Sequence, residues 1–213
     1  MKNHSFSLAA ALYSALTVAL TWPLILSPAS TVPNDLGDPL LNTSLIAWNA
    51  RTVPLTARWW NLPQFYPEPG VMAFSEHLLG LSPLTTPIVK LTGNPLLAYN
   101  AAFLLSFVLC GLSAHLLAYV LTRRHDIGVV AGLAFAFAPY RMSQVGHLQV
   151  LSAYWMPLAL MGLHLYVADR RRRWLALFGA SWLMQALACG YYLFYLSTLV
   201  ALWLMWFAVG RER

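Results

Sequence analysis

Charge is what this sequence has least of. Only 9% of its 213 residues are Asp, Glu, Lys or Arg, where a water-soluble domain carries roughly a quarter. With 59% hydrophobic residues and a mean hydropathy of +0.60, the chain cannot cover a water-soluble globule with polar groups. A soluble domain is thereby excluded, and a multi-span membrane protein is expected. Thirteen basic residues against seven acidic ones give a net charge of +6. They sit in short blocks between apolar runs rather than interleaved with aromatics on a polar face, which excludes a nucleic-acid partner. Cysteine is nearly absent. Cys110 and Cys189 both lie within apolar runs, with no CxxC and no histidine at ligand spacing, so both are expected as packing residues.

What is there is a series of apolar runs of membrane-crossing length, about 17 to 25 residues as helices. The first covers 6–27 and is too long and too poor in small-residue cleavage sites for a signal peptide, so it is expected as an uncleaved anchor. The next covers 95–121, entered through Asn94 as cap and Pro95 in the first turn. Runs at 127–140 and 151–168 follow, the second stopped by Asp169 and four consecutive arginines. The apolar stretch 174–209 would measure about 54 Å as one helix, against a hydrocarbon core of about 30 Å. It is expected as two spans, 174–189 and 191–209, folded at Cys189-Gly190-Tyr191-Tyr192. The predicted fold is an all-α, polytopic membrane helix bundle of about six spans in a single domain.

With Lys2 cytoplasmic, Arg123, Arg124, Arg170, Arg171, Arg172, Arg173, Arg211 and Arg213 fall on the same side. Arg51, Arg58, Lys90 and Arg141 fall on the other, and nine against four follows the positive-inside rule. The expected location is the inner (plasma) membrane, with a cytoplasmic amino terminus. Residues 28–94 then form a long extracytoplasmic loop. In it, Asp38-Pro39 is a helix start, and 38–53 is expected as an amphipathic helix on the membrane surface. Trp59 and Trp60 suit an interfacial belt, Ser75-Glu76-His77 suits the opening of another helix, and 77–91 suits an interfacial or re-entrant piece. A second outer element, 139–149, places Arg141, Gln144 and His147 or Leu148 on one face if it is helical.

The stretches NDLGDPLLNTSLIAWN, FYPEPGVMAFSEHLLGLSP and FAFAPYRMSQVGHLQVLSAYWMPLAL follow one another along this plan. One span, an acidic pair opening a long external loop, then short-looped spans: the chain resembles a bacterial branch of the GT-C glycosyltransferases. The resemblance implies transfer of a sugar from a polyprenyl-phosphate carrier to a lipid, glycan or protein acceptor on the outer face of the membrane. It also implies a carboxylate assisting attack at the anomeric carbon, with inversion. Members of that group have more spans, so this chain is expected to be a short member or a piece of a longer protein.

Such chemistry needs a base for the acceptor hydroxyl and a stabiliser for the departing phosphate. Asp35 and Asp38 are the candidate bases, against a plain turn residue and a helix cap respectively. Arg141 is the first candidate for the phosphate, against a side chain snorkelling to headgroups, and Arg58 the second, against a membrane anchor. His147 and Gln149 are candidates for added hydrogen bonds. Glu76 and His77 are candidates for orienting the acceptor or a metal. A carboxylate pair with waters holds a hard divalent cation, yet no ligand set in the sequence selects one. His115 and His164 are expected as neutral packed residues. The rival reading is a transporter or lipid-handling subunit, or a catalytically inactive fragment. Polar groups gathered in outer loops rather than within the spans favour the enzyme.

Overall fold

The computed structural model describes residues 2–209, with side chains for 4–207. Lys2, Arg211 and Arg213, which entered the charge pattern, have side chains outside the described residues. Those described form helices and no strand: α1 (Lys2–Leu20), α2 (Asp38–Arg51), α3 (Ala57–Trp60), α4 (Ser82–Thr92), α5 (Pro95–Thr122), α6 (His125–Ala136), α7 (Pro139–Ser143), α8 (Leu148–Leu151), α9 (Trp155–Asp169), α10 (Arg172–Ala188) and α11 (Gly190–Val209). Among the described residues three segments are long and apolar enough to cross a membrane: Pro95–Thr122, Leu148–Asp169 and Gly190–Phe207.

Local chemistry sets the helix ends. Asn94 Oδ1 accepts the Leu97 N–H at 3.0 Å, and Pro95 in the first turn lacks the donor that would otherwise be orphaned. At the far end Arg123 turns left-handed and its N–H reaches Tyr119 O. The apolar run 174–209 divides at Cys189, which is extended, into α10 and α11. The first helix is shorter than its apolar run. It stops at Leu20, because Trp22-Pro23 opens a turn and a proline has no N–H with which to continue a helix.

α5 lies at the centre, burying Ala98, Tyr99, Ala102, Phe103, Phe107 and Cys110. α1 runs antiparallel to it. The Phe6 ring lies 5.6 Å from Tyr119 near the end of α5, while Asn100 near its start donates to Pro28 O and Thr31 O, each at 2.7 Å. Small residues permit the close contacts: a side chain at Gly132 would run into the Tyr13 hydroxyl, and one at Gly162 would meet Trp174 O of α10 at 2.8 Å. α9 packs on α5 and runs in the same direction: Leu151 O, just before α9, lies 3.5 Å from Cys110 Sγ, and Met156 and Leu160 share an apolar pocket with Ala114, Leu117 and Leu121 farther along α5. The two arginine-bearing turns, 123–124 and 170–171, therefore share one end of the bundle. Residues 28–38, 139–149 and the α10–α11 turn lie toward the other.

The segment 28–94 differs from expectation in three places, at α2, Trp59 and Ser75. α2 is not a two-faced surface helix. It packs on α4 and α5, burying Asn42, Thr43 and Asn49 together with Leu45 and Ile46, while Leu40 stays exposed. Burial of the amides is possible because each is hydrogen-bonded, Asn49 donating to His77 O at 2.8 Å and accepting from Trp59 Nε1 at 2.7 Å. Trp59 is accordingly in the core, fully buried, and not in an interfacial belt. Ser75 caps no helix, for the chain remains irregular to Leu78 and α4 begins at Ser82. At 11 residues, about 16 Å, α4 is too short to cross a membrane. Residues 139–149 are two short helices with a turn between, so Arg141 and His147 do not share a helix face.

Candidate active site

Asp38 is the first residue of α2, with Gly37 before it and Pro39 after it. No side-chain bond caps this helix, so the carboxylate is not the cap that the sequence suggests. It reaches across to the segment before α8, where Asp38 Oδ2 lies 3.0 Å from His147 Nε2. Both side chains are a little under half exposed. The other ring nitrogen of His147, Nδ1, is buried and has no partner among the described residues. The imidazole therefore turns its one accessible nitrogen to the carboxylate, leaving Oδ1 as the free acceptor of the pair.

The pair lies on the wall of an open cavity of about 930 Å³. Glu76, Gln144 and Gln149 add polar groups to the wall, and Tyr140, Tyr191, Phe194 and Tyr195 line much of the remainder. These four rings are 57% to 69% exposed, which leaves their surfaces open to a ligand. Among the described residues the lining holds two carboxylates and one imidazole, and neither lysine nor arginine. Among the described residues no three His, Cys, Asp or Glu side chains come together as a metal-binding group.

The other sequence-nominated residues divide sharply. Glu76 reaches the cavity, and its Oε2 accepts the Gly190 N–H at 2.8 Å, so a negative charge caps the 20-residue α11. Gln149 also lines the cavity, its Oε1 accepting from Asn42 Nδ2 at 3.2 Å. Asp35 does not line it: Oδ1 accepts the Gly37 N–H at 2.8 Å, the geometry of an Asx turn. His77 faces Trp59 and its Nδ1 accepts the Leu79 N–H at 3.1 Å. Burial pushes the His77 pKa down, opposed by the charge of Glu76, and the neutral ring suits that acceptor role. Arg58 is exposed on α3, outside the cavity.

Arg141 is not at the cavity either. It is 4% exposed, donating from Nε to Ala136 O at 2.9 Å and from Nη2 to Leu151 O at 2.8 Å. Those carbonyls belong to the last residues of α6 and α8, where a cation is favoured by the helix dipole. The face of Phe107 lies 5.3 Å from the guanidinium carbon. This arginine ties two helix ends together.

Gln144 and the exposed aromatic rings were not among the residues singled out as site residues. Tyrosines beside an apolar run read as interfacial, and only the clustering of 140 with 191–195 distinguishes them. Comparison with family models, with curated proteins and with solved structures finds no match to this chain.

Proposed function

We propose that this chain is a membrane glycosyltransferase of GT-C type, moving a sugar from a polyprenyl-phosphate carrier to an acceptor on the extracytoplasmic face. The observation that carries the reading is the Asp38–His147 pair on the wall of an aromatic, acidic cavity. Oδ2 of Asp38 is held by the imidazole, and Oδ1 takes the proton as the acceptor oxygen bonds to the anomeric carbon and the bond from that carbon to the carrier's phosphate oxygen breaks, its electron pair leaving with the polyprenyl phosphate. His147 acts as a positioning residue, because its second nitrogen is buried away from any substrate. The tyrosines and Phe194 offer flat surfaces for sugar rings, and the glutamines offer hydrogen bonds to hydroxyls.

The proposed topology has six crossings, the three long segments with α1, α10 and the run from α6 into α7 as the returns; α6 alone, at 12 residues, is shorter than a bilayer core, so its crossing needs residues 137–140 as well. The arginine turns at one end make that end cytoplasmic by the positive-inside rule, which turns the cavity outward. The test is incubation of membranes containing the chain with radiolabelled polyprenyl-phosphate sugars and endogenous acceptors. Label passing to a new product supports the enzyme.

The lining without lysine or arginine favours a second reading, a lipid-handling subunit that binds a sugar headgroup without transferring it. Label retained by the purified chain but never passed on would select that reading.

A further inference from the structure

A second cleft, of about 490 Å³, opens between the C-terminal end of α2 and one face of α4, with Met184 of α10 at its edge. It has the opposite electrostatic character. Arg51 and Lys90 line it, and among the described residues no Asp or Glu does. Both cations are exposed, and neither has an ion pair or side-chain hydrogen bond among the described residues. Ser82, Thr86 and Lys90, at i, i+4 and i+8, share the face of α4 that borders the cleft. Ser82 Oγ is buried there with no hydrogen-bond partner. Two cations that merely snorkelled to bulk headgroups would need no shared cleft and no orphaned hydroxyl beside it.

We propose that this cleft binds a phosphate group, with Arg51 and Lys90 as its charge partners and Ser82 Oγ as a hydrogen-bond donor. The site is separate from the reaction centre. α2 carries Asp38 at its first residue and Arg51 at its last, about 20 Å apart along a 14-residue helix. That is several times the breadth of a sugar ring, so a phosphate held here is not the leaving group of a sugar attacked beside Asp38. The same phosphate chemistry comes either from a lipid headgroup or from free phosphate, and the site holds whether or not the chain transfers sugar.

The test follows thermal unfolding of the full chain, purified in a neutral detergent. It is titrated with inorganic phosphate and, separately, with phosphatidic acid, using phosphatidylcholine as the control lipid. The expected result is saturable stabilisation by phosphatidic acid beyond that given by phosphatidylcholine. Arg51→Gln or Lys90→Gln weakens the apparent affinity about tenfold each. Ser82→Ala weakens it by less, while Lys90→Arg and the exposed Arg58→Gln leave it unchanged. Stabilisation by inorganic phosphate as well marks a site for phosphate itself, and stabilisation by phosphatidic acid alone marks a lipid-headgroup site. No saturable response to either ligand overturns the proposal. So does a response that survives the Arg51→Gln, Lys90→Gln double substitution, or one that Arg58→Gln weakens equally.

Discussion

Asp38 Oδ2 lies 3.0 Å from His147 Nε2, joining the first turn of α2 to the segment that leads into α8. Two polar segments far apart in the chain thereby present one carboxylate to one cavity. Because both side chains are nearly half exposed, the pair contributes about 1 kcal/mol or less to stability. Its effect is expected in chemistry instead. His147→Ala should lower sugar transfer by about tenfold or more while moving the unfolding free energy by less than about 1 kcal/mol. Parallel transfer assays and thermal melts check both.

Arg141 gives the opposite pattern. Its guanidinium donates to Ala136 O and Leu151 O inside the protein, and Leu151 O keeps the Ala153 N–H as a second donor, so Arg141→Met should orphan the Ala136 carbonyl and cost about 2 kcal/mol of stability. Arg141→Lys should recover only part, since one ammonium cannot reproduce the planar fork between two helix ends. Folded yield in detergent and the unfolding midpoint measure the loss. Transfer per folded molecule is expected to change much less than with substitutions at Asp38.

Glu76 caps α11 through the Gly190 N–H. Glu76→Ala should destabilise the protein by about 1 kcal/mol, and Glu76→Gln by less, because the amide oxygen still accepts the bond after the charge is lost. Thermal melts of the two variants side by side separate the hydrogen bond from the charge.

His77 provides the pH dependence. Burial holds its folded pKa below the ordinary value of 6.5, so as pH falls through that region the unfolded chain takes up a proton before the folded one. Stability should therefore decline as pH falls below about 6.5 and level off once the folded ring also protonates. In His77→Gln this component of the slope is absent. Melting midpoints of the two proteins at about pH 7.5 and about pH 5.5 give the difference.

The sequence was most informative where one residue decides a local conformation. Asn94-Pro95 starts α5 because a side-chain acceptor and a missing donor meet the same need of a helix N-terminus. The break at Cys189 was legible from length, since a single helix over 174–209 would far exceed a bilayer. The candidate site was legible only in part. Asp38, Glu76, His147 and Gln149 reach one cavity, whereas Asp35, His77, Arg58 and Arg141 do not. Arg141 misled because its partners are backbone carbonyls at two helix ends, acceptors that any sequence contains and no pattern marks. Glu76 resembled the first turn of its own segment but caps a helix 114 residues later, and such a long-range bond leaves no local trace. Trp59 resembled an interfacial anchor until Asn49 supplied its indole with a buried partner.

The central claim is that the Asp38 carboxylate takes the acceptor's proton. It is tested most directly by the rate of transfer from a radiolabelled polyprenyl-phosphate sugar, compared among the wild type, Asp38→Asn and Asp35→Asn at matched folded levels. The expected result is a loss of about 100-fold or more in Asp38→Asn, with Asp35→Asn close to wild type, because only Asp38 faces the cavity. Transfer that survives Asp38→Asn, or that fails only in Asp35→Asn, would contradict it.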